Sequence, residues 1–415
     1  MHNIIKFKSS SSFKILKDEG IINWVKYRIA KITTKVCLVL LKYHPNLYQP
    51  KSLNYNFILF SYNLSGHLAF KTFLNYCNIT EKIFFKDGFS ILPNNKNYYL
   101  NICLYNNENI LYKKLKLINF LNNQNILLLT RDPISRIKTF INHGESTAKT
   151  NYSIKENTDK ALDRVRYQQE KKYPDINTVS LAMKTIFFSY YTDIKPFLEI
   201  QNHQEKQKKK YQYNIFYIDT KDILPEKAFD TFKNLALEFN FNPPNKEEKD
   251  KFQQKIWNEF VHFLPFNLIL CKKDYPFLKK DIEISIVQNH LKTGQDYKEY
   301  FIEKNNNLYE KIAICINDKD LKLLVNNKQI LQELKQYFFN FTKSLKKQID
   351  FHKEVFVDEN QILEFLSKNK NLTLNLKKTL DYELQHIKQH RPDIVASWKY
   401  YQEFEKMCEE LDKKE

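Results

Sequence analysis

The stretch Ile126-Leu127-Leu128-Leu129-Thr130-Arg131-Asp132-Pro133-Ile134-Ser135-Arg136-Ile137-Lys138-Thr139-Phe140 decides the fold. Its opening run is apolar without alternation, which fits a short strand buried on both faces of a parallel sheet. Pro133 suits the first position of a helix, where its missing N–H is not needed. Asp132 is the expected N-cap, and Gly144 supplies a stop beyond the helix. Arg131 is thereby placed at the strand's end, with Thr139 about two helical turns further on. A guanidinium fork and a hydroxyl converging on one anion make a phosphate site, and Ile126–Gly144 is read as such a corner in an α/β transferase.

Working outward, the same strand-to-helix rhythm recurs. Phe57-Ile58-Leu59-Phe60 is a second buried strand, followed by the turn Asn63-Leu64-Ser65-Gly66-His67 and a helix carrying Leu68, Phe70, Phe73 and Leu74. Backbone N–H groups at such a turn favour an anion; Gly66 permits close approach and Ser65 offers a hydroxyl. Tyr98–Leu104 and Asn214–Ile218 read as further strands, Ile110–Phe120, Val179–Ile200 and Pro225–Phe239 as helices, and the polar Glu145–Asn177 as a lid or surface helix with Arg164 and Arg166 on a solvated face. Strands alternating with helices predict a parallel sheet covered on both faces. After Asn245 helical spacing dominates, apart from strand-like Ile282–Val287 and Ile312–Ile316. The expected organisation is a leader with a basic helix (1–50), an α/β core (51–250) and a mostly helical C-terminal domain (251–415).

The chain has 415 residues, 42% hydrophobic and 15% aromatic, which supports a sizeable core and excludes a disordered composition. It holds only 5 glycines, so a fold built on Gly-rich loops is not expected. The net charge of +18 admits nucleic acid, an anionic membrane surface or small anionic substrates as partners. No compact Arg-rich patch, zinc-finger spacing or aromatic RNA-binding motif is present, so nucleic acid is not expected. Cys37, Cys77, Cys103, Cys271, Cys315 and Cys408 are scattered, mostly in apolar runs, and read as free thiols of a reducing compartment. No signal peptide or membrane-spanning run is read, and the expected location is cytoplasmic. Trp24–Lys42 reads as a helix packed on its own domain or as a basic interfacial helix at the inner membrane face.

The pattern Arg-Asp-Pro-x-x-Arg-x-x-Thr at Arg131–Thr139 resembles the 3′-phosphate motif of P-loop sulfotransferases. The Asn63–Leu68 turn, the segment Tyr190–Leu198, the strand and turn Asn214–Ile223 and the helix Pro225–Phe239 follow in that family's order. The resemblance covers about residues 55–245. It implies a P-loop-like parallel sheet and sulfuryl transfer from 3′-phosphoadenosine 5′-phosphosulfate to a hydroxyl, here of a carbohydrate or surface-glycan precursor. By resemblance, Ser65, Gly66, His67 and Leu68 hold the 5′-phosphosulfate, and Arg131 and Thr139 the 3′-phosphate. Where the family carries a Lys before the Ser/Thr-Gly and a Ser or Thr after it, this chain has Leu64 and His67. The whole chain also resembles an uncharacterised bacterial family sometimes labelled sugar transferase.

Sulfuryl transfer needs a base for the acceptor hydroxyl. Glu108 is the first candidate, on the segment where related enzymes carry theirs, His67 the second and His143 a third. Two alternatives stand beside the transferase: a nucleotide-sugar glycosyltransferase using Asp318-Lys319-Asp320, and a catalytically degenerate sulfotransferase-like binding module, which Leu64 favours. His386 and His390 have zinc-compatible spacing but no third ligand, so they read as surface histidines and no metal is expected.

Overall fold

The computed structural model describes residues 56–83, 98–103, 125–146, 151–186, 188–206 and 213–413. The leader with its basic helix, Glu108, the predicted helix Ile110–Phe120 and Cys37 lie outside them.

Elements run in the order β1 (Ile58–Ser61), α1 (His67–Tyr76), β2 (Thr80–Ile83), β3 (Tyr98–Cys103), β4 (Asn125–Thr130) and α2 (Pro133–Ile141). A folded insertion follows, with β5 (Glu145–Ser146), β6 (Asn151–Ser153), α3 (Thr158–Leu162) and β7 (Val165–Arg166). Next come α4 (Val179–Thr185), α5 (Tyr190–Lys206), β8 (Asn214–Asp219), α6 (Ala228–Phe239) and α7 (Lys249–Phe252). Then follow β9 (Phe266–Leu270), β10 (Ile282–Gln288), β11 (Ile312–Cys315), α8 (Asp318–Asn326) and α9 (Lys328–Val355). The chain closes with α10 (Glu359–Ser367), α11 (Lys370–Glu383), α12 (Gln385–His390), α13 (Pro392–Ala396) and α14 (Lys399–Asp412).

The expected α/β class is what is found. The first sheet is parallel, in the order β2-β3-β1-β4-β8. Alternate residues of its central strands feed opposite faces, as the two-residue period of a strand requires. Phe57, Leu59, Leu127 and Leu129 pack with Phe70 and Phe73 of α1 and Phe232 and Phe239 of α6. Ile58, Phe60, Ile126 and Leu128 pack with Ile134 and Ile137 of α2, with α4 and α5, and with Ile362, Leu380, Trp398 and Phe404 of the C-terminal helices. A second sheet, in the order β11-β10-β9-β6, packs on α8 and α9.

Three expectations change. Glu145–Asn177 is not a polar lid: it supplies β6 to the second sheet and buries Tyr152, Leu162 and Val165 in that sheet's core. Arg164 is 7% exposed rather than solvated, donating to the carbonyls of His262 and Phe263 and to the Tyr152 hydroxyl. Val179–Ile200 is two helices, with Ile186 extended at the C-cap of the first. The hydrophobic clusters also divide the chain differently from a boundary near residue 250. Residues 357–408 belong to the core of the first sheet, and the antiparallel β9–β11 lie between.

The exposed edge of β8 is covered rather than left as a template for another strand. Arg391 donates to the Tyr217 carbonyl at 3.1 Å while paired with Asp393. His386 is half-buried there, its Nδ1 3.0 Å from the Tyr217 hydroxyl, and its ring stacks on that of His390. Cys77 and Cys408 are buried and Cys271 and Cys315 half-buried, and none of the four is in a disulfide. Among the described residues no helix is long and apolar enough to cross a membrane.

Candidate functional site

Helices α1 and α2 follow adjacent parallel strands, β1 and β4, yet pack on opposite faces of the sheet. That divergence opens the crevice at the carboxyl ends of the strands where α/β sheets bind ligands. Both predicted corners meet there.

The first corner is the turn Tyr62–Gly66. Leu64 (φ 67°) and Gly66 (φ 85°) are left-handed. Gly66 is needed there twice over. A Cβ at this φ would be strained, and it would stand 2.9 Å from Ile223 Cδ1. Four consecutive carbonyls of the turn are held by side-chain donors, one from the turn and three from the surrounding fold. Ser65 Oγ donates to Tyr62 O at 2.6 Å, Arg136 Nη2 to Asn63 O at 2.9 Å, Arg131 Nη1 to Leu64 O at 2.8 Å, and Thr220 Oγ1 to Ser65 O at 3.2 Å. With the carbonyls so committed, an anion at the turn would meet its N–H groups, of which Ser65 N already donates to Tyr62 O at 3.2 Å. Helix α1 starts with no side-chain cap and no acidic residue in its first turn. A turn with those properties has the form of a backbone anion cradle, one that could take an anion on its N–H groups.

The side chains are less available than the backbone. Ser65 is fully buried and its hydroxyl is spent on the turn. Leu64 packs against the hydrophobic core, so the place of the family's Lys is apolar. Leu68 is exposed. Lys71 is ion-paired with Glu81. His67 Nδ1 is buried without a hydrogen-bond partner among the described residues, and burial lowers the ring's pKa despite Glu81 nearby. The ring is therefore neutral and basic in form.

The second corner begins as expected. Asp132 caps α2, Oδ1 accepting from Ile134 N at 2.9 Å and Ser135 N at 3.4 Å. Its other oxygen accepts from Tyr400 N (3.1 Å) and Tyr401 N (3.2 Å), the first turn of α14, which has no cap of its own. One carboxylate thus caps two helices. Burial raises its pKa and these four N–H groups oppose the rise. Asp132→Ala is expected to cost about 2–4 kcal/mol, two caps' worth, read as a shift of the denaturation midpoint. A shift no larger than one cap would show that α14 does not depend on it.

Thr139 does not face an anion with Arg131. Its hydroxyl donates to Ser135 O at 2.9 Å within α2. Along the same helix face, Asn142 exchanges two hydrogen bonds with the backbone of Val357 (2.7 and 3.0 Å), and Glu359 Oε1 accepts from Ser135 Oγ (2.9 Å) and Lys138 Nζ (2.7 Å). The first corner has the form of a phosphate site; at the second, Arg131 is bonded to Leu64 O and Thr139 to Ser135 O, with Glu359 on the neighbouring Ser135 and Lys138.

Sequence reasoning left Arg136 without a role. It is fully buried, bonded to Asn63 O and to the Tyr190 hydroxyl (3.3 Å), with its guanidinium 4.9 Å from the Phe188 ring. Asp219 was missed as well. It is 3% exposed, accepts from Trp398 Nε1 at 2.5 Å, and is raised in pKa by burial.

The remaining candidates are accounted for by packing. Asp318 accepts from the Tyr297 hydroxyl (2.6 Å) and Asp320 from Lys280 (3.0 Å), so neither carboxylate of that triplet is free. Among the described residues no group of His, Cys, Asp and Glu could hold a metal ion. His143 stacks on Trp257 and lies edge-on to His262, which in turn feels His352 and Arg164. Burial lowers the pKa of all three imidazoles, that of His262 to about 4. A histidine depressed in the folded state binds its proton more readily when unfolded, so stability falls as pH drops from about 6.5 towards 4. His262 alone contributes about 3 kcal/mol to that loss. Asp132 and Asp219, raised by burial, work the other way at the acid end of the window. Denaturation midpoints are expected to fall from about pH 7 to about pH 5, and to fall less in His262→Gln. An unchanged slope in that variant would remove His262 as the cause.

A family model described as "Protein of unknown function (DUF2972)" matches residues 217–411. The similar stretch starts inside β8 and runs through the second sheet to α14, so it crosses residue 250 without a break. No sulfotransferase family matches. No curated protein and no solved structure gives a match.

Proposed function

We propose that the chain binds the phosphate end of an anionic nucleotide through the backbone of the Asn63–Leu68 turn, as a sulfotransferase-like binding module. The observation that carries this reading is the inward commitment of four consecutive loop carbonyls at the switch point between β1 and β4. Helix dipole and backbone amides then act together on an anion. Leu64, packed against the core where the resembled family carries its Lys, supports a binding role over sulfuryl transfer, because the loop itself contributes no ammonium to the bridging oxygen. Calorimetry on the full chain is expected to show adenosine 5′-monophosphate binding, lost in Gly66→Val. No binding by the wild type, or equal binding by the variant, would sink the cradle.

The second reading is a transferase that moves a sulfuryl group from 3′-phosphoadenosine 5′-phosphosulfate to a carbohydrate hydroxyl. His67 favours it, being neutral, beside the cradle and free at Nδ1 among the described residues. Sulfuryl transfer to any member of a carbohydrate panel, abolished by His67→Gln, would place this reading first. The nucleotide-sugar reading loses its motif to the Tyr297 and Lys280 contacts and stands behind both.

A further inference from the structure

The contact made by Glu359 has the form of a ligand contact. Its carboxylate accepts from a hydroxyl and an ammonium on consecutive turns of α2, Ser135 and Lys138, at 2.9 and 2.7 Å. Those are two of the donors a phosphate oxygen would take. Arg131, at the mouth of the same helix, lies in the field of the same carboxylate and is repelled by Arg136. Arg131 before the helix and Lys138 in its last turn both feel the Glu359 charge, which offsets them from outside the helix.

Holding α10 in place does not require that pair. Asn142 already clamps the Val357 backbone twice, Asp358 and Gln361 close a capping box at the start of α10, and Ile362 and Leu366 are buried in the core. What Glu359 does supply is a negative charge, 8% exposed, on the helix face that carries Thr139.

We propose that Ser135 and Lys138 form an oxyanion site for a phosphate monoester, and that Glu359 is its built-in occupant. An incoming phosphate competes with the carboxylate for the same two donors. The chain thereby carries an internal competitor beside the nucleotide cradle, which regulates whether a second phosphate on the ligand is recognised. The link to a nucleotide rests on the reading proposed above; the anion site itself does not.

The test uses the full chain, wild type and Glu359→Gln, melted in sodium phosphate and in sodium chloride of equal ionic strength. The amide of the variant still accepts from Ser135 but no longer neutralises Lys138. A ligand that binds only the folded state raises the melting temperature in step with its affinity. The expected result is a half-maximal phosphate effect at roughly tenfold lower concentration in Glu359→Gln, abolished when Lys138→Gln is added. Equal phosphate dependence in wild type and Glu359→Gln, or a gain that survives Lys138→Gln, overturns the proposal. Glu359→Asp, which withdraws the carboxylate by one methylene, serves if Glu359→Gln does not fold; phosphate binding no tighter than in wild type overturns the proposal there too. Failure of the cradle is read separately, from adenosine 5′-monophosphate on the wild type. A phosphate gain in Glu359→Gln with no monophosphate binding leaves this site standing and removes the cradle; the reverse pattern removes this site alone.

Discussion

A chain ended at Val355 is expected to lose cooperative folding altogether. The helices beyond that residue form one wall of the first sheet's core. Ile362, Leu366, Leu376, Leu380, Trp398, Tyr401 and Phe404 are buried against Ile58, Phe60, Ile126, Leu128 and the apolar side of α2. Each large apolar side chain stripped of its cover forfeits about 1.5–3 kcal/mol. Losing about five of them costs about 7–15 kcal/mol, as much as the 5–15 kcal/mol by which a typical domain is stable. Polar losses add to this. Asp132 would give up the amides of Tyr400 and Tyr401, and Asp219 the Trp398 indole. Circular dichroism with urea titration is the measurement. A truncated chain that unfolds in one cooperative step near the full chain's midpoint would mean that this wall is an accessory. A fragment spanning residues 51–250 is expected to fail for the same reason, although the strand rhythm of the sequence suggests it as a domain.

That contrast marks what the sequence carries and what it does not. The strand-to-helix corner at Arg131-Asp132-Pro133 is legible because each signal in it is local: an apolar run, a capping residue, a proline with no N–H to lose. Asp132 does cap α2. Its second oxygen reaches α14, 268 residues away, and nothing in the neighbourhood of either residue records the pairing. The same holds for Ser135 and Glu359, 224 residues apart. Thr139 shows the converse failure. Its spacing from Arg131 is right for a shared phosphate, yet a threonine inside a helix has a carbonyl four residues back within reach, and it uses it. Arg164 read as solvated because its segment is polar on average. Burial is decided by the strand that the segment adds to the second sheet, which periodicity over so short a stretch does not reveal. Leu64 stands where the resembled family carries a Lys. Its left-handed backbone and core-facing side chain explain why an apolar residue is tolerated there.

Arg136→Met is expected to be the most destabilising single substitution near the site, costing about 3–5 kcal/mol. The guanidinium has no exposed surface and sits among Tyr62, Phe188 and Tyr190. Hydrogen bonds from a charged donor are worth about 1.5–3 kcal/mol, and a buried acceptor left bare costs further. Asn63 O would be that acceptor. For a chain of 415 residues each kcal/mol moves the melting temperature by about 1 °C, so a fall of about 4–6 °C is expected. Arg136→Lys separates charge from geometry. An ammonium keeps the cation among the rings but cannot span Asn63 O and the Tyr190 hydroxyl as a planar fork does. It is expected to fall in the same direction by a smaller amount, and to weaken adenosine 5′-monophosphate binding even where the fold survives, because the Asn63 carbonyl is then free to turn into the cradle. Wild-type stability and nucleotide affinity in Arg136→Lys would show that positive charge alone holds the turn. The hydrogen-bonded fork would then have no part in aiming its amides.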